Sequence, residues 1–307
     1  MRSGPLPVSS GDLIADRRYA IARDLEGRGE LADAADVLVQ ALERAPGFSA
    51  GWFALGDLRE RLGDPRGAIE SFRRALALDP ADPQGAGLRL ARLEGRDVEK
   101  MSPAYVRTLF DQYAPRYDRA LVQDLAYGAP RLLREAIERA QTARGLPLRF
   151  RRMLDLGCGT GLAGEVFADC CEAMFGIDFS PAMIEQARRK HLYAGLLVGD
   201  LTQMLEHQPE RAGLIVAADA FVYLADLAPV CRAAARVLEA GGLFAFTTET
   251  HAGASVMLGE TLRYAHSPDH VRGALAAAGL SVLALAEASA RTEAAVPVPG
   301  LVAVAGH

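Results

Sequence analysis

The chain is poor in cysteine and basic charge, and it has no long apolar run. Its four cysteines are Cys158, the adjacent Cys170 and Cys171, and Cys231, and none forms a Cys-x-x-Cys pair. A zinc framework and a disulfide framework are both unsupported, so no metal site is expected. Adjacent cysteines are far more often small buried residues than a redox pair. No stretch reaches the ~18 consecutive apolar residues of a transmembrane helix, and residues 1–10 lack the apolar region of a secretory signal. Basic residues do not dominate either: 34 Lys and Arg face 39 Asp and Glu, for a net charge of -5. That balance argues against a broad polyanion-binding surface, and no basic run interleaved with aromatics suggests a nucleic-acid partner. A reducing cytoplasm without membrane contact is the expected setting. What is present is 307 residues of 50% hydrophobic content, enough for two domains with cores of their own.

The most informative stretch is Met153-Leu154-Asp155-Leu156-Gly157-Cys158-Gly159-Thr160-Gly161. Apolar residues run into an Asp and then into three glycines at alternate positions. This predicts a buried strand ending in a tight turn where bare backbone meets a ligand, since glycine tolerates positive φ and carries no Cβ. A dinucleotide fingerprint wants Gly-x-Gly-x-x-Gly. Here the third glycine comes one residue early, Leu162 stands at the fingerprint's last position, and the preceding Asp is foreign to it. Three more apolar runs end in acids: Phe175 to Asp178, Leu197 to Asp200 and Leu214 to Asp219. Asp178 lies 21 residues after Gly157, and the three acids are 22 and 19 residues apart, the rhythm of successive βα units. An acid at the position of Asp178 accepts hydrogen bonds from ribose hydroxyls in nucleotide-binding α/β folds. Ser180 and Pro181 read as the N-cap and first position of the helix that follows.

The Asp-x-Gly-x-Gly-x-Gly turn, with these strand-end acids, resembles motif I of the class I S-adenosylmethionine-dependent methyltransferases. The resemblance implies a doubly wound, mostly parallel seven-stranded sheet with the last strand antiparallel, and S-adenosylmethionine as cofactor. It assigns Asp155 to ordering the turn or receiving the cofactor's ammonium group through water. Gly157, Gly159 and Gly161 would give backbone approach to the methionine portion. Asp178 would hold the ribose hydroxyls and Phe179 would stack on adenine. Asp200, with Leu201 beside it, would accept from the adenine amino group, and the backbone near Ala218 would contact the methionine moiety.

The first hundred residues are a different object. Trp52, Leu55, Gly56, Gly63, Ala68, Phe72, Ala75 and Pro80 fall on the tetratricopeptide pattern. Shifted back by 34 residues, Gly29, Ala34, Leu38, Ala41 and Pro46 occupy equivalent places. Helices are expected near 13–27, 31–44, 49–61 and 65–77, with a capping helix near 83–94. Gly56 and Ala68 let paired helices approach, and Pro46 and Pro80 stop the second helix of each repeat. Such stacks ordinarily need about three units for stability. The repeats therefore suggest a protein partner or self-association, against the plainer reading of a structural appendage.

A polar boundary at 95–102 leads into Tyr105 to Asp118. Its F-D-x-Y-A-x-x-Y-D pattern resembles the N-terminal lid of small-molecule methyltransferases, whose aromatics close over the methionine end of the cofactor. The chain as a whole resembles bacterial predicted methyltransferases that carry tetratricopeptide repeats. The organisation read here is repeats over 1–95, linker and lid over 96–130, and a methyltransferase domain over 131–307. The lid assigns Tyr117 to the cofactor and Tyr127 to the acceptor. Ordinary aromatic packing is the alternative for both.

The remaining pattern predicts a helix over 132–143 and strands near 152–156, 173–177, 195–198, 213–218, 242–248, 281–290 and 300–305. Helices are expected near 162–169, 181–192, 226–239 and 268–278. Alternation of this kind makes a mostly parallel sheet covered on both faces, with ligands beyond the C-terminal strand ends. Methyl transfer is an in-line displacement at a sulfonium carbon, so alignment and water exclusion carry most of the task. A general base is needed only if the acceptor must lose a proton. The candidates are Tyr223, His251 and His266, with Glu249 and Arg263 on the acceptor side. Residues 263–267 are read as a loop, and Arg263 as the group that pins an acceptor carboxylate.

Two features narrow the acceptor. Residues 217–221, Ala-Ala-Asp-Ala-Phe, are not the N/D-P-P-Y/F/W of enzymes that methylate exocyclic amines of bases. No paired-glutamate loop of the arginine methyltransferase kind is visible. The leading expectation is a methyltransferase acting on a small-molecule or carrier-bound acceptor at O, N or C. The alternative is a protein methyltransferase or cofactor-binding adaptor whose repeats recruit a protein. A nicotinamide-dependent oxidoreductase is disfavoured by the glycine spacing.

Overall fold

A computed structural model describes residues 9–96, 100–114, 127–293 and 296–307. It divides into two units, up to Thr108 and from Leu109 onward.

The first unit is helical: α1 (Leu13–Gly27), α2 (Leu31–Arg44), α3 (Ser49–Arg61), α4 (Pro65–Leu78) and α5 (Ala86–Leu93). Gly29 and Gly63 turn the chain between paired helices at φ 83° and 79°. Pro46 and Pro80 each follow a helix that has stopped two residues earlier. A Cβ on Gly56 would come within 2.6 Å of Phe72 Cε1, so glycine is what allows α3 and α4 to close on this ring. Trp52 packs against the cores of both helix pairs and donates its indole N–H to the Pro46 carbonyl at 2.9 Å. The capping helix begins later than expected. Asp82 adopts φ 53° and its carboxylate accepts from the Ala86 and Gly87 amides at 2.6 and 2.9 Å. The residues after Asp82 are thus spent on a capping turn. A sixth helix, α6 (Pro103–Tyr113), contributes its last turn to the second unit.

The second unit alternates strand and helix: α7 (Ala129–Ala143), β1 (Phe150–Leu156), α8 (Leu162–Phe167), β2 (Cys171–Asp178), α9 (Pro181–Arg189), β3 (Gly195–Val198), α10 (Leu201–Glu206) and β4 (Ala212–Ala217). A short 3₁₀ turn at Phe221–Tyr223 follows, then α11 (Ala228–Val237), β5 (Leu238–Glu249), β6 (Val256–Leu258), β7 (Tyr264–His266) and α12 (Pro268–Ala277). The chain ends in β8 (Ser281–Glu287), the two-residue strands β9 (Thr292–Glu293) and β10 (Val296–Pro297), and β11 (Gly300–Gly306). Seven strands run in the order β3-β2-β1-β4-β5-β11-β8, with β11 antiparallel to both neighbours as the resemblance implied, and β6 and β7 extend the same sheet to nine strands beside β5.

Side-chain alternation explains the two layers. Leu154, Leu156, Ile215, Phe244 and Phe246 share one face with Val230, Val237, Val271 and Leu275 of α11 and α12. Met153, Leu214, Val216, Leu243 and Ala245 point the other way, onto Leu133, Ile137 and Phe167 of α7 and α8. Strands buried on both faces read as continuous apolar runs, which is why the sequence announces them. Three elements differ from expectation. Residues 201–206 form a helix, because Asp200 caps it. Residues 264–266, expected within a loop, form β7, pairing with β6 and with Glu249 of β5. The strand expected over 281–290 stops at Glu287.

Candidate active site

The strand order reverses between β1 and β4, and that switch point is where open α/β sheets bind ligands. The glycine turn sits there. Gly157, Gly159 and Gly161 have φ of 70°, 52° and 90°. A Cβ on Gly157 would fall 2.6 Å from the Ala220 Cβ, and one on Gly161 would fall 3.0 Å from the Tyr193 ring. The Gly157 and Cys158 amides both donate to the Ile177 carbonyl, at 2.8 and 3.0 Å, which ties the turn to β2.

Two buried carboxylates bracket this turn. Asp178 Oδ2 accepts from the Gly159 amide at 2.9 Å, and Oδ1 accepts from the Ser180 amide at 2.8 Å. Burial raises its pKa to about 6 against these hydrogen bonds, with the nearby Asp111 charge adding to the rise. Ser180 Oγ accepts from the Met183 amide at 3.0 Å, so it is the cap of α9 that the sequence indicated. The same hydroxyl donates to Asp111 Oδ1 at 2.5 Å. Asp155 is fully buried. Its Oδ2 accepts from the Tyr193 hydroxyl at 2.6 Å, and its Oδ1 has no hydrogen-bond partner. Burial pushes its pKa up to about 7; the Tyr193 bond opposes the rise and the Asp178 charge adds to it. The Tyr193 oxygen also accepts from the Gly164 amide at 3.1 Å, so one phenol joins the end of β1 to the start of α8.

The other residues expected to meet the cofactor take these places. Phe179 follows Asp178 and is half-buried. Asp200 caps α10, its Oδ1 accepting from the Thr202 and Gln203 amides at 2.8 and 3.0 Å, with Leu201 buried beside it. The Ala218 carbonyl, just past β4, accepts from the Tyr127 hydroxyl at 3.3 Å. Tyr117 lies outside the described residues.

Past β4 and β5 stands a mixed-charge cluster. Arg291, 2% exposed, donates from Nη1 to both Asp219 oxygens at 3.0 and 3.1 Å. It also donates from Nη2 to Glu249, and to Glu293 at 3.0 Å. Arg263 Nη1 is 3.8, 3.6 and 3.9 Å from Asp219, Glu249 and Glu293. Its guanidinium lies 5.7 Å from the centre of the Tyr223 ring, which in turn meets Phe110 edge-on at 5.2 Å. Burial raises the Tyr223 phenol above its ordinary value. Arg263 is therefore already surrounded by carboxylates.

The two histidines differ. His251 is half-buried, and its Nδ1 accepts from the Gly253 amide at 3.1 Å. His266 is fully enclosed. Its Nε2 meets the Leu224 carbonyl at 2.9 Å and its Nδ1 the Thr248 hydroxyl at 2.7 Å. A carbonyl only accepts, so Nε2 carries the proton and Nδ1 takes the Thr248 hydrogen. Burial, and then His270 beside it, lower its pKa to about 4. The structure thus brings Asp155, Asp178 and the glycines together at one turn, and Tyr223, Glu249 and Arg263 at the ends of β4 and β5. It encloses His266. Sequence reasoning missed Asp111, Tyr193 and Arg291, because each acts through a partner 38 to 72 residues away. Among the described residues no group of three or more His, Cys, Asp or Glu is arranged to hold a metal ion. No helix among them is long and apolar enough to cross a membrane.

Comparison with known proteins agrees with this geometry. Residues 154–246 match a methyltransferase domain family and residues 19–83 a tetratricopeptide repeat family. The chain is 37% identical over 148 residues to human methyltransferase-like protein 27, a match covering 46% of this chain and 57% of that protein. It is 28% identical over 158 residues to the ubiquinone biosynthesis O-methyltransferase of Methylobacterium nodulans, covering 46% and 64%. The match thus spans about three-fifths of the length of these curated relatives. Among solved structures, an S-adenosylmethionine-dependent methyltransferase from Clostridium acetobutylicum superposes with a TM-score of 0.48 at 17% identity, covering 64% of this chain and 98% of that one. The glycine turn thus lies within the residues that match a methyltransferase domain family, and the helical repeats supply the residues that match a tetratricopeptide repeat family.

Proposed function

We propose that the protein transfers a methyl group from S-adenosylmethionine to a small-molecule or carrier-bound acceptor at O, N or C. One observation carries the cofactor half of this reading. Asp155 is a fully buried carboxylate with an unpartnered Oδ1, two residues before a glycine turn that a Cβ would fill. A buried, uncompensated carboxylate is costly, and the cofactor's ammonium group is the charge that offsets it, directly or through water.

The other residues fit around that anchor. Asp178 spends one lone pair of each oxygen on the Gly159 and Ser180 amides and keeps the others for ribose hydroxyls. Phe179 stacks on adenine, Asp200 accepts from the adenine amino group beside Leu201, and the backbone at Gly157, Gly159, Gly161 and Ala218 lines the methionine portion. When bound, the cofactor supplies a methyl group already activated on a sulfonium. The chain's own task is to align the acceptor and exclude water. Tyr223, with Phe110 against it, supplies an apolar wall on that side, and Tyr127 joins it from the start of α7. The described flanks of the lid segment are tied at Asp111 to Ser180 and at Tyr127 to Ala218.

Any proton to be removed goes to His251 or Glu249, because burial keeps the Tyr223 phenol protonated and leaves it only a positioning role. His266 has both ring nitrogens committed and we assign it to holding β5 against the turn after Phe221. Arg263, with three carboxylates within 4 Å, favours an acceptor without a carboxylate of its own. The name of the Methylobacterium relative, a ubiquinone biosynthesis O-methyltransferase, supports a small acceptor. The tetratricopeptide match over 19–83 favours a second reading in which the repeats bring a protein to be methylated, or join two copies of the chain. Incubation with methyl-labelled cofactor and a cell extract split into protein and metabolite fractions separates them. Label on metabolites, or on a group released from its carrier by mild base, supports the first reading, and label that stays on a protein band after mild base overturns it in favour of the second.

A further inference from the structure

Asp219 is the residue after β4 that meets Arg291, and its backbone is unusual. It adopts φ 58°, in the left-handed region that residues other than glycine enter at a cost, though Asp and Asn tolerate it best. Two contacts hold it there. Its amide donates to Thr247 Oγ1 of β5 at 2.8 Å, and both its carboxylate oxygens accept from Arg291 Nη1.

Arg291 is itself pinned. Its carbonyl accepts from the Ser289 hydroxyl at 2.6 Å and the Val298 amide at 3.0 Å. The neighbouring Ala290 carbonyl accepts from the Gly128 amide at 2.8 Å. Nε and Nη2 are spent on Glu293, and Nη2 also on Glu249. A guanidinium so buried and so committed has no donor left for a substrate. What it can do is fix the ends of β4 and β5.

We propose that Arg291 is a positioning residue that clamps Asp219 in its left-handed turn and so sets the Ala218–Asp219 backbone that faces the methionine end of the cofactor. The inference rests on the cofactor site proposed above. Three features support it: the clamped residue is the strained one, the next carbonyl upstream is held by Tyr127, and the clamp comes from the chain segment bonded to Gly128 at the start of α7.

The test is calorimetric titration of the full-length protein with S-adenosylhomocysteine, alongside thermal unfolding, for the wild type and Arg291→Met, Arg291→Lys, Asp219→Asn, Asp219→Gly and Asp219→Gly/Arg291→Met. Arg291→Met should weaken binding about tenfold or more, and Arg291→Lys less, since lysine keeps the charge but not the fork. Glycine adopts this φ without a clamp. Asp219→Gly should therefore bind within about threefold of wild type, and adding Arg291→Met to it should cost no more than about threefold further. Asp219→Asn, which tolerates the φ but loses the charge pair, should fall between and serves if Arg291→Met does not fold. Unchanged affinity in Arg291→Met with a lowered melting temperature would make the arginine purely structural and overturn the proposal. An equal loss in the Asp219→Gly background would also overturn it. Wild type that fails to bind S-adenosylhomocysteine would instead remove the cofactor reading on which the clamp depends.

Discussion

Replacing Asp155 with Asn should make the ligand-free protein more stable at pH 8 while weakening its grip on the cofactor. Burial raises the Asp155 pKa from 3.8 to about 7. A folded pKa above the unfolded one favours the protonated form, so the contribution is fully present below pH 3.8 and is lost as pH rises through about 7. Above that pH the buried charge costs about 4 kcal/mol, from roughly three pKa units at about 1.4 kcal/mol each. Asparagine is nearly isosteric and its oxygen keeps the Tyr193 bond, but its amide nitrogen replaces the partnerless Oδ1 and costs about 1–3 kcal/mol. The net gain at pH 8 is about 1–3 kcal/mol, and at pH 4, where the buried charge is gone, it becomes a loss of about 1–3 kcal/mol. Binding moves the other way: losing a charged partner for the ammonium group costs about 1.5–3 kcal/mol, roughly ten- to a hundredfold in affinity. Urea unfolding at pH 4 and pH 8 with S-adenosylhomocysteine titration at pH 8 reads both. A variant less stable than wild type at pH 8, or one that binds with unchanged affinity, would refute the reasoning.

Other perturbations follow from the same geometry. Asp178→Ala orphans the Gly159 and Ser180 amides and should weaken S-adenosylhomocysteine binding by about 1.5–3 kcal/mol in a calorimetric titration, with far-ultraviolet circular dichroism unchanged. Gly159→Val places a branched side chain at φ 52° on the bare turn and should abolish binding in the same assay. His266, lowered from 6.5 to about 4, is held neutral in the fold, so its contribution is full above pH 6.5 and is lost as pH falls toward 4. The stability difference between wild type and His266→Gln should therefore shrink by about 3 kcal/mol over that range in urea unfolding. A difference that stays flat with pH would show that the ring is not held neutral.

The elements were legible where burial writes itself into the chain. Strands covered on both faces appear as apolar runs, and the tetratricopeptide positions recur because the same small residue must sit where helices touch, as Gly56 does against Phe72. The glycine turn was legible for the same reason, since backbone approach demands glycine. The acceptor side was not. β6 and β7 have three residues each, too few for any periodicity to show, so the sequence of Tyr264 to His266 reads as a loop. His266 looked like a proton acceptor because a histidine's ordinary pKa suits that role. Its enclosure comes from Leu224, 42 residues away, and Thr248, 18 away. Arg291 lies in no motif at all. Its weight comes from three acids that the fold gathers from two strand ends and a two-residue strand.

The central claim is that the glycine turn with Asp155 and Asp178 is a cofactor cradle. Its most direct test is titration of the full-length protein with S-adenosylmethionine, and with NAD as the rival ligand, for the wild type and Gly157→Val. The Gly157 side chain would run into Ala220 at the heart of the turn. Wild type should take up S-adenosylmethionine at one site per chain and ignore NAD, and the variant should bind neither while keeping its circular dichroism spectrum. Binding of NAD in place of S-adenosylmethionine, or an undiminished affinity in Gly157→Val, would contradict the account.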